Sequence, residues 1–174
     1  MACTLTTGRK LPCKSGVGGL KTVYFADYGT LGAATISSGE VTALAGSPAL
    51  FQFDIKGNSS LETAINSSRE NGTTFYETTL NLTLTFLDKL TQEELKLVAH
   101  ARPHVFVEDY NGNYFVVGLE HGAEVTGGSI VSGAAMGDLS GFTLTMVAQE
   151  TAPPYFITGS VVTGDASATQ ITPN

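Results

Sequence analysis

The sequence predicts a mainly β protein with one short α-helix at about 91–101, an extended N-terminal arm and a long Gly-rich loop. Three observations predict it. Leu80, Leu82, Leu84 and Phe86 alternate with Thr79, Asn81, Thr83 and Thr85, as a strand with one buried face requires. Asn111-Gly112 divides two apolar runs, and this dipeptide accepts the positive φ angles of a type I′ hairpin turn. Only one stretch, near residue 95, combines helical spacing with start and stop signals.

Taken in order, residues 1–19 contain Gly8, Pro12, Gly16, Gly18 and Gly19 without periodicity and read as an extended arm. Strand character begins at Leu20, where Lys21–Tyr28 is rich in β-branched and aromatic residues. Short strands follow near Thr35-Ile36, at Glu40–Leu44 and at Leu50–Lys56, the last with Phe51, Phe53 and Ile55 on one face. Ser59–Ser67 has weaker β character, Arg69–Gly72 supplies a turn, and Phe75–Leu87 is the clearest strand. Its Thr/Asn face lacks the Lys or Glu that often protects a wet strand from pairing.

For the helix, Thr91 and Glu94 match a capping box, Leu90 is placed to staple to Leu95, and Leu95, Val98 and Ala99 form the apolar face. Arg102-Pro103 stops it. The hairpin His104–Tyr110/Asn113–Glu120 is partly apolar on both faces, which predicts cover on both sides. Residues 122–141, with six glycines, read as a pliable loop, and Gly141–Gln149 as a last strand before Pro153-Pro154. The domain therefore spans 20–157, and 158–174 reads as a low-order tail.

A chain of 174 residues suits one domain. Charged residues make up only 14%, against about 25% in typical domains, and such an uncharged polar surface suits packing against other protein. A net charge of −7 with scattered basic residues argues against a nucleic-acid-binding face. No apolar run approaches the ~20 residues of a membrane span. The start, Met1-Ala2-Cys3-Thr4, shows no basic leader with an apolar stretch, so the expected location is the cytoplasm or particles assembled there.

Motifs for chemistry fail one by one, and no catalytic, cofactor-binding or metal residue is assigned. Gly16–Gly19 precedes a strand, so it aims no helix N–H groups at a phosphate. His100 and His104 have helical metal-ligand spacing, but Pro103 breaks the helix between them. His121 beside Glu120 and Glu124 is explained by a surface turn, and Glu108-Asp109 near Asn111 and Asn113 by the hairpin. Cys3 and Cys13 have no further cysteine to complete a tetrahedral cluster, and a reduced or structural pair is expected. The Asn-x-Ser/Thr sequons at Asn58, Asn66, Asn71 and Asn81 are not expected to be used, given the cytoplasmic location.

The stretch Ala2-Cys3-Thr4-Leu5-Thr6-Thr7-Gly8-Arg9-Lys10-Leu11-Pro12-Cys13-Lys14, followed by Gly18-Gly19-Leu20-Lys21-Thr22-Val23-Tyr24-Phe25, resembles the N-termini of tailed-phage virion structural proteins, particularly those from phages of marine and gut bacteria. The element order after it resembles a tail tube protein, which implies a β-sandwich or half-barrel flanked by one helix, a fold shared with the type VI secretion tube. That resemblance implies six copies joining their sheets into an inner barrel, with rings stacking through segments 1–19 and 122–141. It implies further contacts with other tail proteins, including a sheath where the tail contracts. It also implies a virion location after assembly in the host cytoplasm, and no catalytic residues or cofactors. DNA would slide past an acidic lumen without sticking, because like charges repel. A second class of function, a capsid decoration, neck or baseplate component or a receptor- or glycan-binding module, predicts exposed loop aromatics. The sequence has no Trp, and most aromatics fall in strand patterns.

Overall fold

The computed structural model describes residues 7–11, 13–55 and 57–164. In chain order its strands are β1 (Leu20–Ala26), β2 (Ala34–Ser37), β3 (Glu40–Leu44), β4 (Phe51–Asp54), β5 (Ser60–Ser68) and β6 (Thr73–Thr85). Helix α1 (Lys89–His100) follows, then β7 (His104–Asp109), β8 (Tyr114–Val117), β9 (Glu124–Val131), β10 (Gly141–Glu150), β11 (Tyr155–Ile157) and helix α2 (Gly159–Gly164). They form a seven-stranded sheet, ordered β2-β3-β11-β8-β7-β1-β4, and a four-stranded sheet, ordered β5-β6-β10-β9. Every pairing is antiparallel except β11 with β3.

The two sheets form a β-sandwich. Val23, Phe25, Val105, Val107 and Val117 from the larger sheet meet Leu80, Leu82, Leu84, Leu144 and Met146 from the smaller. Leu95 of α1 joins this core, and Val98 packs at its edge. On the far side of the larger sheet Tyr24, Val41, Leu50, Phe106, Val116, Ile157 and Val162 form a second core. Alternate residues of β1, β7 and β8 thus feed opposite cores, as the two-sided hairpin pattern predicts. Each such side chain contributes roughly 1.5–3 kcal/mol on burial, so these central strands anchor the molecule.

Several expectations are corrected. The helix begins earlier, because Asp88 is its N-cap and accepts hydrogen bonds from the backbone N–H groups of Leu90 and Thr91, both at 3.1 Å. Leu90 is exposed rather than stapled, and Ala99 faces solvent. Phe51 is likewise exposed, on the edge strand β4.

The 104–120 hairpin does not turn through type I′. Gly112 has φ 80°, but Asn111 does not have positive φ. The Gly112 N–H donates to Asp109 O at 3.2 Å and the Asp109 N–H to Asn113 O at 3.0 Å, the pattern of a three-residue loop with a left-handed glycine. The Asp109 carboxylate accepts from the backbone N–H groups of Asn111 and Asn113 at 2.9 and 2.8 Å. Partial burial alone would push Asp109 up, but these amide bonds prevail and hold it below its ordinary carboxyl value.

The expected loop 122–141 contains a strand, β9, and only 132–140 remains a connection. Gly128 lowers the β propensity there for a packing reason: a Cβ would lie 2.6 Å from Thr143 O on the neighbouring strand. The expected low-order tail starts instead with α2, whose Val162 is buried in the second core; residues 165–174 lie outside the described residues.

Candidate assembly interface

The four-stranded sheet shows one face to the core and the other outward. Cross-strand register fixes the outward set: Thr79, Asn81, Thr83 and Thr85 of β6 stand level with Val147, Thr145, Thr143 and Gly141 of β10. Glu62 and Ala64 of β5 and Ser129 of β9 extend the same face. Short polar side chains bond to each other across it. Thr145 Oγ1 donates to Asn81 Oδ1 at 3.0 Å, Ser129 and Thr143 share a hydroxyl bond at 2.7 Å, and Gln149 Nε2 donates to Glu77 Oε2 at 2.7 Å. None of the four strands contains Lys or Arg, whereas Glu62, Glu77, Glu124 and Glu150 all lie on them. The sheet is therefore an acid-only surface backed by hydroxyl groups.

Its edges differ from those of its partner sheet. The seven-stranded sheet ends in β2 and β4, each four residues long, and short edges offer little backbone to a pairing partner. The four-stranded sheet ends in β5, nine residues, and β9, eight residues. Among the described residues no strand pairs with the outer side of either, and neither carries Pro, Lys or Arg. Rows of N–H and C=O groups are thus left to water or to another chain.

The sheet's end beside α1 carries a second unusual feature. Phe86, the last apolar residue of the predicted alternation, does not enter the core. It takes φ 69°, and its side chain is 71% exposed next to exposed Leu87 and Leu90. A bulky residue in the left-handed region is strained. The adjoining 132–140 connection is held by Asp138, whose carboxylate accepts from the N–H groups of Ala135 and Ala134 at 2.7 and 2.9 Å. Those two bonds hold Asp138 below its ordinary carboxyl value, and the loop presents exposed Met136.

Residues considered for chemistry occupy other places. His104 is buried; Gly29 N–H donates to its Nε2 at 3.0 Å, so Nδ1 carries the proton and donates to Gly118 O at 2.6 Å. Tyr28 stacks on the ring, and Arg102 lies over Tyr28 at 4.1 Å from its centroid. Burial lowers the His104 pKa, against the raising effect of the Gly118 carbonyl. His100 sits exposed at the end of α1, and the His121 backbone N–H donates to Glu150 Oε1 at 2.9 Å. Glu108, nearly buried, pairs with Lys21 at 2.6 Å, where a bulge in β1 turns Lys21 toward it. In the arm, Val17 exchanges backbone hydrogen bonds with the Asn111 side chain at 2.8 and 2.6 Å. Cys13 is exposed, and Cys3 lies outside the described residues. No group of three or more metal-ligating side chains occurs among the described residues.

The Thr/Asn face is legible in the sequence, whereas the β9 edge lies within the expected 122–141 loop. Val125, Ile130 and Val131 flanking Gly127-Gly128 were the available signal. No protein-family model, curated protein or solved structure matches the chain.

Proposed function

We propose that this chain is a structural subunit whose copies join through β5 and β9 into rings, which stack into a phage tail tube conducting DNA. The observation that carries the assembly is the pair of long edges without Pro, Lys or Arg on a sheet of four antiparallel strands. An even count leaves β5 and β9 running in opposite directions. Head-to-tail joining of copies about one axis therefore continues the antiparallel order without a break. A closed ring leaves no edge exposed. The acid-only outward face supports a lumen that repels DNA. The tube identity rests on the resemblance of the N-terminal stretch and the element order.

Electron microscopy and sedimentation of the full chain over a concentration series test this reading. Rings or tubes are expected; a strictly monomeric species at high concentration overturns it, and a compact trimer favours a decoration or binding module. Ala64→Lys, on the exposed outward face of the β5 edge, is expected to abolish rings while leaving the thermal unfolding temperature unchanged.

A further inference from the structure

Beside β9 runs a groove of about 810 Å³, walled on one side by α1. Leu95, Lys96 and Ala99 of the helix face Val125 and Ile130 of β9 and Phe142 of β10 across it. Phe142 and Leu95 belong to the main core, so the groove is that core opening to solvent at one edge. Ile130 shares the core-facing side with its register partner Phe142, yet it is 60% exposed. At the opposite edge, Leu61 and Ile65 of β5 also lie on the core-facing side, opposite Leu80 and Tyr76 of β6. Ile65 is 68% exposed. Each edge thus presents an apolar side chain on the same face of the same sheet, with no cover from its own chain.

We propose that the α1–β9 groove is a socket for β5 of a second copy, with the exposed Ile65 as the inserted side chain while Leu61 stays packed in its own core. This inference rests on the ring reading. Side-chain parity carries it: a strand added to β9 in a continuous sheet keeps its core-facing residues on the core side, which here is the space beneath α1. Pairing of β5 with β6 in its own copy already fixes Ile65 on that side, so a junction out of phase by one residue would mismatch the pleats of the two edges and leave the groove open. The core of one copy then continues into the next through the junction.

Two exposed substitutions separate the halves of the contact. Ile65→Glu removes the plug and Ala99→Arg blocks the socket; each alone is expected to be a folded monomer with unchanged circular dichroism and melting temperature. Mixed one to one, they retain one intact plug and one intact socket, so a heterodimer and nothing larger is expected. Leu97→Glu, on α1 but outside the groove, should assemble like the parent chain. If the parent forms rings and both variants still do, or if the mixture stays monomeric well above the concentration of ring formation, the socket is wrong while the ring reading stands. A parent chain that forms no oligomer overturns both.

Discussion

His104 and Phe86 show opposite uses of a single side chain. The His104 ring accepts from Gly29 and donates to Gly118, tying together two loops distant in sequence. The bond from Gly29 needs the neutral ring, and burial lowers the His104 pKa below the usual 6.5, against the raising effect of the Gly118 carbonyl. Above that pH neither folded nor unfolded chain protonates here, and the contribution is fully present. As pH falls through 6.5 toward the lower folded value, the unfolded chain takes up a proton that the folded chain resists, so stability declines. Melting temperature measured from pH 7 to 5 should therefore fall, and His104→Asn should flatten this slope while costing about 2 kcal/mol at neutral pH. Phe86 instead carries strain outward. Phe86→Gly should stabilise the isolated subunit by about 0.5–1 kcal/mol, the left-handed penalty removed less the entropy of glycine. Denaturant unfolding reads this, and a loss of stability would show that the phenyl ring contributes packing in the free subunit.

At the scale of elements, the start of α1 separates a motif from its geometry. Thr91 and Glu94 satisfy the capping-box pattern in the sequence, but Asp88, three residues earlier, is itself a favoured N-cap residue and adds a turn. Asp88→Ala should cost about 1 kcal/mol in denaturant unfolding, the usual value of a cap, and Thr91→Ala clearly less. The strands were legible in proportion to the regularity of their alternation. Leu80, Leu82 and Leu84 revealed β6 because the sheet buries one face uniformly, and Asn111-Gly112 marked the hairpin although its turn type was different. The strand β9 was hidden because Gly127 and Gly128 look like loop residues, although Gly128 is small where Thr143 O of the neighbouring strand approaches. Phe86 continued the pattern in sequence while its backbone left the strand, which periodicity alone does not reveal. Free edges depend on which strands lie at the ends of a sheet, so that part of the candidate site was not readable from local pattern.

For the whole molecule, the strands of both sheets are net acidic, and those of the smaller sheet carry no cation. The nine basic residues of the chain lie outside the four strands of the smaller sheet, and this segregation bears on DNA passage in the proposed tube. Thr79→Lys with Thr85→Lys, both on the outward face, should change subunit stability by less than about 0.5 kcal/mol. Assembled particles of this variant should retain DNA in a gel-shift assay at low salt and release it as salt rises; particles that ignore DNA would indicate that this face does not line a channel.

The ladder between β10 and β9 slips between Thr145 and Met146, where Thr126 is the extra residue. In the proposed assembly, each copy supplies four strands, so a circle of any number of copies closes without a parallel seam. Strand arithmetic therefore leaves the circumference open, and the bend at each seam sets it. A bulge bends and twists its strand, and this one lies on the strand that receives the neighbour. In that assembly, deleting Thr126 would take the bend out of the receiving strand and change the diameter of the ring, which electron microscopy of the variant reads.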